Sequence, residues 1–230
     1  MAKNFWGTAS NGRFTAGCTG QTVYIYDAAG QELARFKDII YAYTPLFSPV
    51  DDLLVVKSTA GMMAAYDLSQ MVLVKKFRFS NVPSQDDGFC FSPDGKLLYN
   101  IERHGTSCRT RLSIYDTSDF SCSQQLFADD QRLVLNHIEY DPRKTPISDT
   151  IGRFFVLGFL RSESGPIDFV AELKEGKLLH LTAIGGEEHH FLHTFKSLQM
   201  RGFPKRWLED PCFPYPHVDA SREVWLSDYM

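Results

Sequence analysis

Two histidines in one short stretch have the spacing that best suits metal chemistry. In "GGEEHHFLH" (185–193), His189 and His193 stand four positions apart, so a helix would place both on one face. A carboxylate from Glu187 or Glu188 would complete such a ligand set. The HExxH arrangement is absent, because the residue after His189 is not glutamate. The alternative is the polar face of a connecting helix, so the metal site is a secondary hypothesis and no cofactor is predicted.

Acidic residues near the first strands of predicted repeats would suit hydrolysis or elimination on a sugar or a lactone. Glycoside hydrolysis needs two carboxyl groups roughly 5–9.5 Å apart. The candidates are Asp86, Asp87, Glu139 and Asp141. Adjacent aspartates in a loop are usually solvated, and the sequence has neither a G-x-S-x-G elbow nor a phosphate-binding glycine motif. A small hydrolase or lyase is therefore the alternative function.

Cys108 has the neighbours that would favour a thiolate nucleophile. His104 lies four residues before it and Arg109 directly follows it, and positive charge nearby lowers a thiol pKa. The same residues also fit a long, variable surface loop between two strands. The loop interpretation is the simpler one.

Aromatic residues gather in the proline-rich segment "RWLEDPCFPYPH" (206–217). Trp207, Phe213 and Tyr215 are of the kind that dominate binding interfaces when half exposed. They are the predicted partner-binding residues. The alternative is that these rings cover the last sheet or plug one mouth of the fold.

Composition and charge argue against several classes of function. A net charge of −4, without a block of like charge, gives no reason to expect nucleic-acid binding. No apolar run approaches the ~20 residues of a membrane helix, and "MAKNFWGTASNGRF" lacks the apolar stretch of a signal peptide. Five cysteines without CxxC spacing indicate reduced thiols. The expected location is the cytoplasm.

A repeat organises the chain. The stretch "GFCFSPDGKLLYNIE" (88–102) is two apolar segments around a Ser-Pro-Asp-Gly turn, and "RLSIYD" and "SCSQQLF" follow it. The same order occurs in 5–36 and 43–77, and more loosely in 135–181. Each copy predicts four short strands joined by turns.

Repeated four-stranded sheets predict an all-β fold, a β-propeller, because each sheet must cover both faces against its neighbours. We expect one domain over 1–230, with a short helix in its irregular fifth blade. The expected antiparallel blades are 5–38, 41–79, 87–127, 135–184 and 187–230. A four-bladed body capped by a helix, an incomplete ring closed by dimerisation and a pair of stacked sheets are the alternatives.

The repeats resemble WD40-type and related propeller repeats, in which Trp-Asp or Tyr-Asp closes the third strand. By this resemblance the closing residues are Asp27, Asp67 and Asp116, while Pro49 and Pro93 mark the preceding Phe-Ser-Pro turns. An aspartate there accepts backbone N–H bonds in the next turn. The Gly-His dipeptide of many WD40 repeats is absent, so the resemblance concerns shape.

Rigid blades that carry variable loops favour a non-catalytic scaffold that binds a protein partner. The oligomeric state stays open. This step rests on fold analogy, which does not by itself identify a function.

Overall fold

The structure is a computed structural model that describes residues 4–83, 88–105, 109–140 and 154–183. These residues form sixteen strands and no helix. In consequence, the part of the chain that the structure describes contains no helix that would cross a bilayer.

The strands form four separate sheets, each an antiparallel meander of four strands in chain order. The first sheet contains β1 (Gly7–Ser10), β2 (Phe14–Cys18), β3 (Val23–Asp27) and β4 (Glu32–Phe36). The second contains β5 (Ala42–Phe47), β6 (Leu53–Ser58), β7 (Met62–Asp67) and β8 (Val72–Arg78).

The third and fourth sheets repeat this order. The third contains β9 (Phe89–Phe91), β10 (Leu97–His104), β11 (Arg109–Asp116) and β12 (Cys122–Leu126). The fourth contains β13 (Leu133–Tyr140), β14 (Phe154–Ser162), β15 (Gly165–Lys174) and β16 (Lys177–Ala183).

Three hydrophobic cores lie between consecutive sheets. Along β6, successive side chains point to opposite faces. Leu54 and Val56 therefore pack with Ile25 of the first sheet, whereas Val55 packs with Phe91 of the third. A third core joins the third and fourth sheets. Inner strands are thus apolar on both faces, which is why the repeats read as near-continuous apolar runs.

Close backbone approach between first strands needs glycine at Gly7. A Cβ on Gly7 would lie 2.0 Å from the backbone oxygen of Tyr43 on β5. At the corresponding place between the third and fourth sheets, the N–H of Gly88 donates to the carbonyl of Asn136 at 2.9 Å. At these two junctions, neighbouring sheets therefore meet tightly at their first strands, as blades do around an axis.

The Phe-Ser-Pro turns have the same hydrogen bonding in two sheets. Before Pro49, the N–H of Ser48 donates to the carbonyl of Leu53 at 2.8 Å. Before Pro93, the N–H of Ser92 donates to the carbonyl of Leu97 at 2.8 Å. Each turn thereby leads from the first strand of its sheet into the second.

The prediction of an all-β fold built from four-stranded antiparallel propeller blades is confirmed. The predicted irregular fifth blade, 187–230, with its short helix, lies outside the described residues.

Candidate functional site

A buried polar network joins the second and third blades. Glu102 on β10 is fully buried, and its Oε1 accepts from Tyr115 Oη at 2.5 Å and from Asn100 Nδ2 at 3.0 Å. Its Oε2 accepts from Arg111 Nε at 2.8 Å. The carboxylate is thus held by groups from both β10 and β11, and the charge-assisted bonds offset the cost of its burial.

Lys57 extends this network from β6 of the neighbouring blade. Its Nζ donates to Asn100 Oδ1 and to the carbonyl of Ile101, both at 2.7 Å. The ammonium also lies 5.1 Å and 5.7 Å from the ring centres of Phe79 and Phe89, close enough for cation–π attraction. The two blades are therefore joined by directional polar bonds as well as by apolar packing.

The network borders a small cavity of about 320 Å³. Arg78, Ser80, His104 and Arg111 are among its lining residues. Among the described residues, the lining includes three arginines, Arg78, Arg103 and Arg111, and no carboxylate. Glu102 is fully buried and does not line the cavity. The cavity suits an anion better than a cation.

Both cavity and network lie toward one end of the sheets. We call this end the connection face, where the fourth strand of one blade leads into the first strand of the next. Arg78 ends β8 and His104 ends β10, so the antiparallel order brings both residues to this face. Loops on such a face are where a rigid scaffold carries binding residues.

The aspartates that close the third strands bind the turns that follow. Asp27 Oδ1 accepts from the N–H groups of Ala29 and Gln31 at 2.9 and 2.8 Å. Asp67 Oδ1 accepts from the N–H of Ser69 at 2.8 Å, and Asp116 Oδ1 from that of Ser118 at 2.8 Å.

These bonds stabilise the ionised carboxylates of two aspartates. Hydrogen bonds from Ser69 lower the pKa of Asp67, and those from Ser118 lower that of Asp116. Both stay ionised at neutral pH and hold the turn between the third and fourth strands.

The tyrosines that precede two of these aspartates differ in the hydrogen bonding of their hydroxyl groups. Tyr66 is fully buried and stacks on Phe36 at 4.3 Å, and its Oη has no partner among the residues described. Tyr115 donates to Glu102. Burial raises the pKa of both phenols; nearby Asp38 adds to this at Tyr66, and Glu102 at Tyr115.

Removing each hydroxyl is therefore expected to have opposite effects on stability. Tyr66→Phe deletes an unpaired buried group and should raise the free energy of unfolding by about 1 kcal/mol. Tyr115→Phe removes a bond to a carboxylate and should lower it by roughly 1.5–3 kcal/mol. Urea denaturation of both variants measures the two changes. Shifts of the same sign would contradict the assigned difference between the two hydroxyls.

Exposed apolar side chains lie on the connection face of the first two blades. Trp6, Ile40 and Tyr41 are 50%, 56% and 56% exposed. Because two of the three are aromatic, we call these residues the aromatic patch. The N–H and carbonyl of Gly20 pair with those of Ala42, which places Tyr41 beside Gly20. The Trp6 ring covers Gly20 so closely that a Cβ there would lie 2.7 Å from it.

Few of the predicted catalytic, metal-binding and partner-binding residues lie within the described chain. His104 and Arg109 face each other across β10 and β11. Glu139 on β13 lies 3.3 Å from His137 Nε2. The other predicted site residues, which lie outside the described residues, are Asp86, Asp87, Cys108, Asp141, Glu187, Glu188, His189, His193, Trp207, Phe213 and Tyr215.

Lys57, Glu102 and the aromatic patch were not predicted from the sequence. A signal existed for the first two, because each is a charged residue within the apolar second strand of a repeat. A charge at such a position requires a buried partner. Nothing comparable marked Trp6 or Tyr41.

Comparisons with known proteins support the fold and go no further. No family model and no curated protein matches the chain. Among solved structures, the hydrazine synthase of Kuenenia stuttgartiensis matches with a TM-score of 0.58 and 14% sequence identity. The match covers 80% of this chain and 51% of that one, so the chain spans about half the length of this structural neighbour. At this identity the likeness concerns the fold alone, and it supports the β-propeller architecture.

Proposed function

We propose that the protein is a non-catalytic, WD40-like scaffold of the cytoplasm that binds a protein partner on its connection face. The observation that carries this proposal is the aromatic patch. Large apolar side chains such as Trp6 and Tyr41 are costly to leave in water and are enriched at the centres of interfaces. The partner would insert an apolar or aromatic side chain beside them.

The backbone beneath the patch is fixed by hydrogen bonds. The N–H of Trp6 donates to the carbonyl of Cys18 at 2.8 Å, and the carbonyl of Tyr41 accepts from Thr59 at 3.1 Å. Ser58 Oγ donates to the carbonyl of Ile40 at 2.5 Å. The ends of β2 and β6 therefore hold the patch in place, and a preorganised surface loses less entropy on binding.

Tyr41 has a backbone conformation that its surroundings must impose. Its φ of 53° lies in the left-handed region, which is unfavourable for a bulky residue. Strain of this kind persists where neighbouring contacts fix the chain, and it is common at binding sites. Here it directs a tyrosine toward solvent, which supports a role in recognition.

Site-specific photo-crosslinking tests the proposal. A photoreactive residue at Ile40 should capture a partner from cell extract, whereas one at Leu33, which is exposed on β4, should not. The identified partner should then bind Trp6→Ala and Tyr41→Ala about 30-fold more weakly than the wild type. Leu33→Ala is the matched control. Equal capture at Ile40 and Leu33, or unchanged affinity of both patch variants, would overturn the proposal.

The WD40-like character of the repeats is part of the proposal. The bonds from Asp27, Asp67 and Asp116 to the following turns support it, since this is the role that an aspartate closing the third strand would have. The aromatic residues predicted from sequence, Trp207, Phe213 and Tyr215, are proposed as further partner contacts.

A further inference from the structure

We propose that the cavity between the second and third blades is a binding site for the phosphate group of a small phosphorylated molecule. Its volume of about 320 Å³ is at the lower end of the range for ligand pockets. This site is separate from the aromatic patch and does not depend on the proposed scaffold function. Its residues, Arg78, His104 and Arg111, belong to the second and third blades.

Backbone carbonyls hold the Arg78 guanidinium at the cavity. Arg78 Nη1 donates to the carbonyls of Ala60 and Ser80 at 3.0 and 3.3 Å. A guanidinium has five N–H donors in a fixed plane, and these bonds use a single nitrogen. The remaining donors are available to an oxyanion, for which arginine is geometrically well suited.

Arg111 is positioned by an anion that is already buried. Its Nε donates to Glu102, and its Nη2 lies 3.5 Å from the carbonyl of Phe79. The contact with Phe79 is too long to satisfy the Nη2 donor fully. The side chain is 24% exposed, so its outer edge remains accessible while Glu102 fixes its plane.

His104 supplies the unsatisfied polar atom. Its Nε2 is buried and has no hydrogen-bond partner among the residues that the structure describes. The residue lines the same cavity as both arginines. An unpaired buried nitrogen is unfavourable by about 1–3 kcal/mol. A phosphate oxygen would accept a hydrogen bond from the Nε2–H tautomer once the ring turns to expose this nitrogen to the cavity.

The positive charge at the cavity favours phosphate over a singly charged anion. Arg78 and Arg111 line the same cavity, and Glu102 is bonded to Arg111. A phosphate, which is dianionic or nearly so at neutral pH, offers more charge and more acceptor oxygens to two guanidinium groups than a carboxylate does.

Calorimetric titration of the full chain with inorganic phosphate and pyrophosphate tests the proposal. We expect saturable one-to-one binding by the wild type, and binding at least ~10-fold weaker for Arg78→Ala and for His104→Ala. Arg35→Ala is the matched control, because Arg35 also lies on a fourth strand and donates to a neighbouring side chain. It should bind as the wild type does.

Localisation in the wild type keeps the test independent of variant stability. Phosphate should shift the amide resonances of Gly61, Phe79 and Ser80, which surround the two arginines, and leave those near Arg35 unchanged. Absence of saturable binding, or shifts spread evenly over the chain, would overturn the proposal. Equal affinity for acetate would overturn the assignment to phosphate.

Discussion

Glu102→Ala is expected to lower the free energy of unfolding by about 3–5 kcal/mol, because it removes one partner of a buried ion pair. The substitution leaves Arg111, Tyr115 and Asn100 without their shared acceptor. It also loosens Asn100, whose side-chain oxygen accepts from Lys57 of the neighbouring blade. Denaturation by urea, with the slope compared between variants, measures the change.

Glu32→Ala provides the matched control. Glu32 also forms an ion pair with an arginine, Arg35, but on an outer strand where the two side chains are 25% and 58% exposed. Exposed pairs contribute only about 0–1 kcal/mol. If Glu102→Ala and Glu32→Ala destabilise the protein equally, the network between the second and third blades is not a stabilising connection.

Gly61→Ala is expected to destabilise the protein by roughly 2–5 kcal/mol. Gly61 has a φ of +73°, and a Cβ there would lie 2.2 Å from the backbone oxygen of Ser80. The left-handed conformation costs an alanine about 1–2 kcal/mol, and forcing apart packed backbone costs about 1–3 kcal/mol more. Thermal and urea unfolding of the purified variant give the change.

Gly12→Ala separates the two contributions. Gly12 has a φ of +87°, and a Cβ at this position would have nothing within 4 Å, so only the conformational cost applies. The difference between the variants therefore reports the contact with Ser80. Since the carbonyl of Gly61 accepts from Phe79 and Ser80, Gly61→Ala should also weaken phosphate binding, whereas Gly12→Ala should not. Equal stability of the two variants would show that residues 79–80 move away at little cost.

The strand pattern was predictable because it depends on local chemistry. Pro49 and Pro93 fix the backbone at their turns, and Asp27, Asp67 and Asp116 bind N–H groups only two to four residues away. Such interactions lie within one turn, so the residue types that form them occur at a fixed spacing in the sequence. They repeat from sheet to sheet, so the repeat could be found without coordinates.

The polar site could not be predicted in the same way, because its partners are distant in sequence. Lys57 and Asn100 are 43 positions apart, and no regular spacing relates them. The sequence shows a lysine and a glutamate in apolar strands, which indicates that each needs a partner. It does not show that the second and third blades bring Lys57 close to Glu102 through Asn100.

By itself, the sequence determined the all-β repeat, the turns within each blade and the acceptor role of the closing aspartates, since these follow from proline geometry and short-range hydrogen bonds. Only the tertiary structure decided which charged side chains meet between blades and which aromatic residues stay exposed. Both depend on how one sheet packs against the next. Arg78 and His104 reach one cavity because antiparallel β8 and β10 end on the same face, and Trp6 is displayed because Gly20 leaves room beneath its ring.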